Sequence, residues 1–561
     1  MGDRISARAI WAHIPNLMVG KARIVSWPSL LWLIALFLIG LLLTWRGTTT
    51  WDSVFHLAYN RWLQGQYFLS TKDLPFDTLK WYGPLWEYVL GLVVGLLGGI
   101  KDPMWVRHAT TFVLFPMTLI LTCRAIVTVG ESLTTGLLAT ALLFGFIRFG
   151  GHSILNIKDF PFACAYLLVT LYMFVLLSKE IGEPERFAKS LRTLWLLTSL
   201  AVVPYLLRAP VIHHIVTLVL IGIFIALFES KGVPTTRRIT AAALPLLVGA
   251  ITVWILWPTL WEAGLSGWVQ SFALFSKFGW VGKVHFFGRT VSSTELPWWY
   301  TPSWILVGFE PISFIVVVLG NLVFWLREVP RELCAYGRLS TAVAFRSPIL
   351  WIGLFALAPW LGFAVMRPVF YDEDRHILFA IAPLAVTAAF GLRVLSNRVK
   401  VALSATILVS ASYGYFEYQQ LSYIYKSPLV GNRSNAQFMG DYWGASVGAG
   451  AEALYDFVPS GSTVVIIGPR DALQSELKRF TTNPLRRRVP PKSFNLEDTH
   501  APAPPFYALA IDRNQINGDI IRDVRLGRAA LIWQKALPGQ DPYIVLARYD
   551  RPCDYCRLTT L

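Results

Sequence analysis

The chain has 561 residues, 55% hydrophobic, 14% aromatic and 15% charged, with a formal charge of +16 and a mean hydropathy of +0.50. Soluble domains carry roughly 25% charged residues, and disorder needs low hydrophobicity, so a disordered chain and most soluble folds are excluded. The apolar residues lie in long blocks, so the excess Lys and Arg points first to membrane orientation and anionic lipid, not to nucleic acid.

Met1–Ser26 carries Arg4, Arg8, Lys21 and Arg23 against Asp3. The first apolar run, Ser29–Trp45, ends in Arg46–Gly–Thr–Thr–Thr rather than a small-residue cleavage site. It is expected to be a retained first span with a cytoplasmic N-terminus. Further runs lie near 85–99, 104–126, 132–149, 161–178, 193–207, 210–228, 239–258, 303–326, 347–366, 376–392 and 401–417. The run 85–99 reaches only about 22 Å as a helix and contains Glu87.

Charge decides whether it crosses. If it does not, the loops 179–192, 229–238, 327–346 and 393–400 are cytoplasmic, and their 14 Lys and Arg follow the positive-inside tendency. We therefore expect eleven crossings and a juxtamembrane helix at 85–99. That reading puts Gly47–Pro103, Gly150–Phe160, Thr259–Pro302, Arg367–Arg375 and the C-terminal region on one outer face.

From about Glu417 the composition changes. Residues 1–417 are expected to form a transmembrane domain, and 418–561 a small extracytoplasmic α/β domain. Ser462–Gly468 and Phe506–Ile511 read as strands, Asp471–Phe480 as a helix, and Ala530–Gln534 with Tyr543–Tyr549 as a hairpin.

Ionisable groups at the outer span ends are the candidates for chemistry, because such charges mark polar cavities or pathways. Asp52 follows the first span. It suits a general base or a metal ligand, and equally a helix N-cap. Lys80, in the segment Asp77–Pro84 with Tyr82, suits a phosphate or simple snorkelling. Lys158 and Asp159 precede Pro161. They suit a cavity, or a plain helix start with Asp at the cap and Pro in the first turn. Tyr371–Asp–Glu–Asp–Arg–His376 packs five ionisable residues together, and Arg375 is a natural phosphate fork. Trp298–Trp299–Tyr300 fits an aromatic belt. Arg486–Arg488 with Lys492 read as a solvated loop. Cys553 and Cys556 read as a local disulfide or two free thiols. The Asn432–Arg–Ser434 sequon carries no weight in a bacterial protein. There is no Walker or Rossmann signature.

These motifs together resemble the GT-C superfamily of polyprenyl-phosphate-dependent glycosyltransferases. The bacterial protein O-mannosyltransferase and aminoarabinose transferase-like members are nearest. The resemblance spans about residues 29–446. WDSVFHLAYNRWLQGQYF resembles the acidic motif after the first span, and LKWYGPLWEYVLG the juxtamembrane helix. WVRHATTFVLFP resembles the second span, and GGHSILNIKDFPFACAYLL an NPKD-PFA pattern. ELPWWYTPSWILVGFEP, YDEDRHILFAIAPLA and DYWGAS resemble later elements.

The resemblance implies an α-helical polytopic fold. It implies Asp52 as the catalytic base and Asp159 as the second carboxylate. Lys158, Arg375 and His376 would contact the donor phosphate, with Lys80, Tyr82 and His56 as further substrate-binding candidates. Ser53 stands where many relatives carry Glu, Ile157 where the pattern has Pro, and Glu295–Leu296 where it has His.

The implied reaction is direct displacement with inversion. An acceptor hydroxyl attacks the anomeric carbon, and Lys, Arg or a divalent cation stabilises the leaving phosphate. The partners would be a polyprenyl-phosphate sugar, a glycan, lipid or protein acceptor, and membrane lipid. No residue is assigned to a metal. The competing expectations are a transporter or flippase for a lipid-linked or small polar substrate, and a non-catalytic scaffold. Against a transporter, no paired inverted repeat is visible.

Overall fold

The computed structural model describes residues 18–19, 22–23, 49–67, 77–97, 103–180, 187–208, 212–228, 234–276, 278–336, 347–431, 437–482, 492–497, 503–512, 516–537 and 540–551. The first apolar run, the sequon, Arg486–Arg488 and the Cys553–Cys556 pair lie outside them.

The chain is mostly helical. Helix α1 is Trp51–Tyr67, α2 Leu85–Leu96, α3 Pro103–Thr128, α4 Leu133–Gly145, α5 Ile147–Leu155 and α6 Asp159–Glu180. Then come α7 Phe187–Leu207, α8 Ile212–Phe228, α9 Thr235–Leu256 and α10 Pro258–Ser276. After the hairpin β1 Lys283–Phe286 and β2 Arg289–Ser292 follow α11 Tyr300–Gly308, α12 Pro311–Val323, α13 Val329–Tyr336, α14 Pro348–Met366, α15 Leu378–Gly391 and α16 Asn397–Tyr418.

Six helical stretches among the described residues are long and apolar enough to cross a membrane: 103–128, 159–176, 235–256, 311–334, 349–366 and 397–424. Shorter apolar helices include 85–96, 133–145, 191–207, 214–223 and 378–394. The lipid-type pattern is clearest on α9, where Leu244, Leu247, Ile251 and Ile255 are exposed. Large apolar side chains on the surface of a helix are expected where the surrounding solvent is hydrocarbon.

Two expected continuous spans are broken. The run 132–149 divides at Phe146 into α4 and α5, and the run 303–326 divides at Phe309 into α11 and α12. The two breaks support each other. Phe146 and Phe309 pair as an antiparallel bridge, their rings stack at 4.7 Å, and Glu310 N–H donates to Gly145 O at 2.9 Å. Non-helical backbone inside an apolar bundle is tolerated when its polar groups are met in this way. Glu310 then caps α12, accepting from Ile312 N at 2.9 Å, with Pro311 in the first turn where its missing N–H costs nothing.

Toward the C-terminus the chain forms α17 Val447–Phe457, β3 Thr463–Ile467, α18 Arg470–Thr482, β4 Asn495–Glu497, β5 Phe506–Ile511, α19 Ile516–Arg525, β6 Ala530–Ala536 and β7 Pro542–Tyr549. These strands make one sheet of order β4-β3-β5-β7-β6. β3 runs parallel to β4 and β5. β7 runs antiparallel to β5 and β6. Alternation sets its two faces. Val464, Ile466, Leu509 and Leu546 join the large core shared with the helical bundle. Val465, Ile467, Ala508 and Val545 pack with Ile520 of α19. The sheet region is tied to the bundle directly: Thr49 N–H and its hydroxyl both donate to Glu476 at 2.8 Å.

Candidate functional site

Asp52 lies one residue inside α1, not at its cap. Thr50 precedes the helix, and its hydroxyl meets that of Ser53 at 2.6 Å. The Asp52 carboxylate instead projects to other segments. Lys158 Nζ stands 2.8 Å from Oδ2, and Arg375 Nη1 donates to the same oxygen at 2.9 Å. The Asp52 side chain keeps 24% of its exposure, so the cluster opens to solvent on that side. Burial raises the Asp52 carboxyl, but Lys158 and Arg375 outweigh burial and hold it far below the ordinary carboxylate range. The acid is ionised at neutral pH.

Local chain geometry places each partner. Asp159 starts α6, and Lys158 is the turn residue just before it. Asn156 Oδ1 accepts from the backbone N–H of both, at 3.2 and 2.8 Å. The capping expected of Asp159 is therefore done by Asn156, which frees the Asp159 carboxylate for an ion pair with Arg208. Lys158 and Arg208 both lie over the Tyr82 ring, 5.1 and 5.7 Å from its centroid. Tyr82 is thus an aromatic floor between the two acid–base pairs.

Arg375 is held from several sides. Nη2 meets Asp372 at 3.1 Å, and Nε donates to His376 Nε2 at 3.2 Å. The guanidinium lies over Tyr371 at 4.8 Å and Trp443 at 5.7 Å. Its loop has an unusual backbone, because Asp372 and Glu373 both take positive φ, 52° and 61°. Non-glycine residues rarely hold that conformation without over-determining contacts. Arg148 of α5 supplies them. It pairs with Glu373, donates to Asp374 Oδ1 at 2.7 Å, and reaches Tyr425 O at 3.1 Å. Tyr300 O–H donates to Glu373 O at 3.2 Å. Tyr300, expected in an aromatic belt, is therefore buried against this loop, while Trp298 is 87% exposed. Burial outweighs Arg148 and pushes the Glu373 carboxyl up to about 7.

The remaining predicted residues divide. His56 Nδ1 sits 3.0 Å from Glu87 Oε1. Lys80 pairs with the exposed Asp77 at 3.9 Å, so the structure joins it to Asp77 rather than to the Asp52 cluster. Its backbone carbonyl accepts from Trp257 and Thr259. Ser53 is a buried, packed hydroxyl 3.2 Å from His108 Nε2. Asp441 of the DYWGAS element accepts from Ala445 N and Ser446 N at 2.8 and 2.7 Å, and so shapes the turn that carries Trp443 to Arg375. Among the described residues, no group of three or more His, Cys, Asp or Glu side chains is placed to hold a metal ion.

Sequence reasoning missed Arg107, Arg148 and Arg208. All three lie within or at the end of an apolar run, which was the available signal. Their partners, Glu87, Glu373 with Asp374, and Asp159, are remote in sequence.

No family model matches the chain, and no curated protein matches it in sequence. Among solved structures it is similar to ArnT from Cupriavidus metallidurans bound to undecaprenyl phosphate (TM-score 0.44, 12% identity, 93% of this chain and 98% of that one). It is also similar to the apo state of ArnT (TM-score 0.46, 12% identity, 92% and 97%). A third similarity is to the Archaeoglobus fulgidus oligosaccharyltransferase in the apo form (TM-score 0.41, 13% identity, 84% and 65%).

Proposed function

We propose that the chain is a membrane glycosyltransferase of the GT-C type, moving a sugar from a polyprenyl-phosphate donor to an acceptor hydroxyl. The observation that carries this reading is the Asp52 carboxylate in contact with both Lys158 and Arg375, partly open, among apolar helices. A lipid-linked sugar phosphate asks for those three elements. Its tail takes hydrocarbon, its phosphate takes Lys and Arg, and the attacking hydroxyl takes a carboxylate base.

The two cations bind the donor phosphate and stabilise its charge as the anomeric C–O bond breaks. Their move toward phosphate releases Asp52, which then accepts the proton of the acceptor hydroxyl. The hydroxyl oxygen forms the new bond at the anomeric carbon from the face opposite the leaving phosphate, so configuration inverts. Asp159 holds Arg208 beside Tyr82 and keeps that side of the site charged and ordered. In this reading the protein is a multi-pass plasma-membrane protein with a cytoplasmic N-terminus, its site and sheet region facing outward. Residues 418–561 are its second domain.

Purified full-length protein, given undecaprenyl-phosphate sugars and envelope lipid or glycan acceptors, should transfer sugar. Folded Asp52→Asn should not. Transfer by that variant at the wild-type rate removes Asp52 as the base. A wild type that neither binds undecaprenyl phosphate nor transfers sugar overturns the whole reading.

A further inference from the structure

The transfer step uses neither His56 nor Glu87, yet both are buried. His56 lies one helical turn past Asp52 on α1, on the same side of that helix. Arg107 Nη2 holds both oxygens of the Glu87 carboxylate, at 2.9 and 2.8 Å. A carboxylate so paired is ionised and can only accept. The His56 Nδ1 beside it must therefore carry the ring proton, which leaves a lone pair on Nε2. Burial lowers the His56 pKa although Glu87 pulls it up, and the ring stays neutral. Edge contacts with Tyr59 and Tyr82 fix its orientation.

His56 Nε2 is buried and has no hydrogen-bond partner among the described residues. Buried acceptors are nearly always satisfied, so an open one calls for an occupant. Nor is the imidazole free to turn, because Nδ1 donates to Glu87, which Arg107 holds in place. His56 borders a narrow recess with Tyr82, Trp86, Glu87, Ile157 and Lys158. The recess has room for about one small polar group, a hydroxyl or a water, rather than for a whole ring. One wall is Lys158, which also contacts Asp52. A sugar whose phosphate sits on Lys158 has its ring beside this recess.

We propose that His56, held as an acceptor by Glu87 and Arg107, receives a hydrogen bond from a hydroxyl of the donor sugar and so selects a hydroxyl-bearing sugar ring. The proposal rests on the polyprenyl-phosphate reading above. No bond is made or broken at His56. The Arg107–Glu87–His56 chain is assembled before the ligand arrives, so the site pays no ordering cost when the hydroxyl binds.

The test compares binding of bare undecaprenyl phosphate with undecaprenyl phosphate carrying glucose, mannose, galactose or arabinose, using full-length protein in nanodiscs. In wild type at least one sugar should bind tighter than the bare lipid. His56→Phe should narrow that gap by about tenfold, the usual worth of one buried hydrogen bond. His56→Leu, which removes both the acceptor and the ring, should narrow it to the same extent. Persistence of the gap in either folded variant overturns the proposal and marks the recess as a water site. A wild type with no gap for any of the four sugars overturns it too. A wild type that does not bind even bare undecaprenyl phosphate brings down the lipid-phosphate reading as well.

Discussion

Replacing Asp52 with Asn should move binding and turnover in opposite directions. Asp52 Oδ2 takes a contact of 2.8 Å from Lys158 and one of 2.9 Å from Arg375. An arriving phosphate must share or displace both. Hydrogen bonds to charged groups are worth about 1.5–3 kcal/mol each. Asn keeps a neutral carbonyl acceptor, and the partial opening at Asp52 screens the charge. Removing the competing anion should therefore favour phosphate by about 1.4 kcal/mol, which is about tenfold in affinity. The unliganded variant should also melt lower, since Lys158 loses its counter-charge and Arg375 keeps only Asp372, and the lipid should raise its melting temperature more than in wild type. Transfer should fall by about 10²–10⁴-fold, the range for loss of a general base. Titration with undecaprenyl phosphate and a transfer assay on the same preparation read both effects. Unchanged or weaker lipid binding by folded Asp52→Asn would refute the idea that phosphate and Asp52 compete for Lys158 and Arg375.

Other consequences follow from the supporting residues. Arg148→Met leaves Glu373 and Asp374 buried without their counter-charge, so it should destabilise by about 3–5 kcal/mol, read as a lower melting temperature in detergent. Gly83→Ala would place a methyl group 2.0 Å from the carbonyl oxygen of Leu206, on rigid backbone. It should cost about 1–3 kcal/mol and weaken undecaprenyl phosphate binding, because Gly83 adjoins Tyr82 beneath Lys158. Glu373 titrates near 7 when folded and near about 4.3 in an unfolded chain. Between those values the folded state holds the extra proton, so stability falls as pH rises from about 4.3 to 7. Glu373→Gln should flatten the melting-temperature profile across that window, and an unchanged slope would show that other groups set it.

Periodicity and composition alone determined much of this molecule. Apolar blocks of membrane length became α3, α6, α9, α14 and α16 because a helix satisfies its own backbone whatever surrounds it. The short run at 85–99 became a helix of only 12 residues. The short apolar runs Ser462–Gly468 and Phe506–Ile511 became neighbouring strands, and the hairpin around Leu537–Pro542 paired as read. These features depend on residues a few places apart.

Tertiary structure alone decided the rest, because the deciding partners are far away in sequence. The break at Phe146 needs Phe309 to complete its bridge. Spacing alone allowed Asp52 to be a helix cap, whereas the fold turns its carboxylate to Lys158 and Arg375. Asp159 looked like a helix start until Asn156 took the capping role and Arg208 took its charge. Lys80 and Lys158 are both substrate-binding candidates, and the fold pairs the first with Asp77 and the second with Asp52. A buried or half-buried charge is tolerated only with a counter-charge, and one-dimensional spacing does not say which counter-charge the fold will bring.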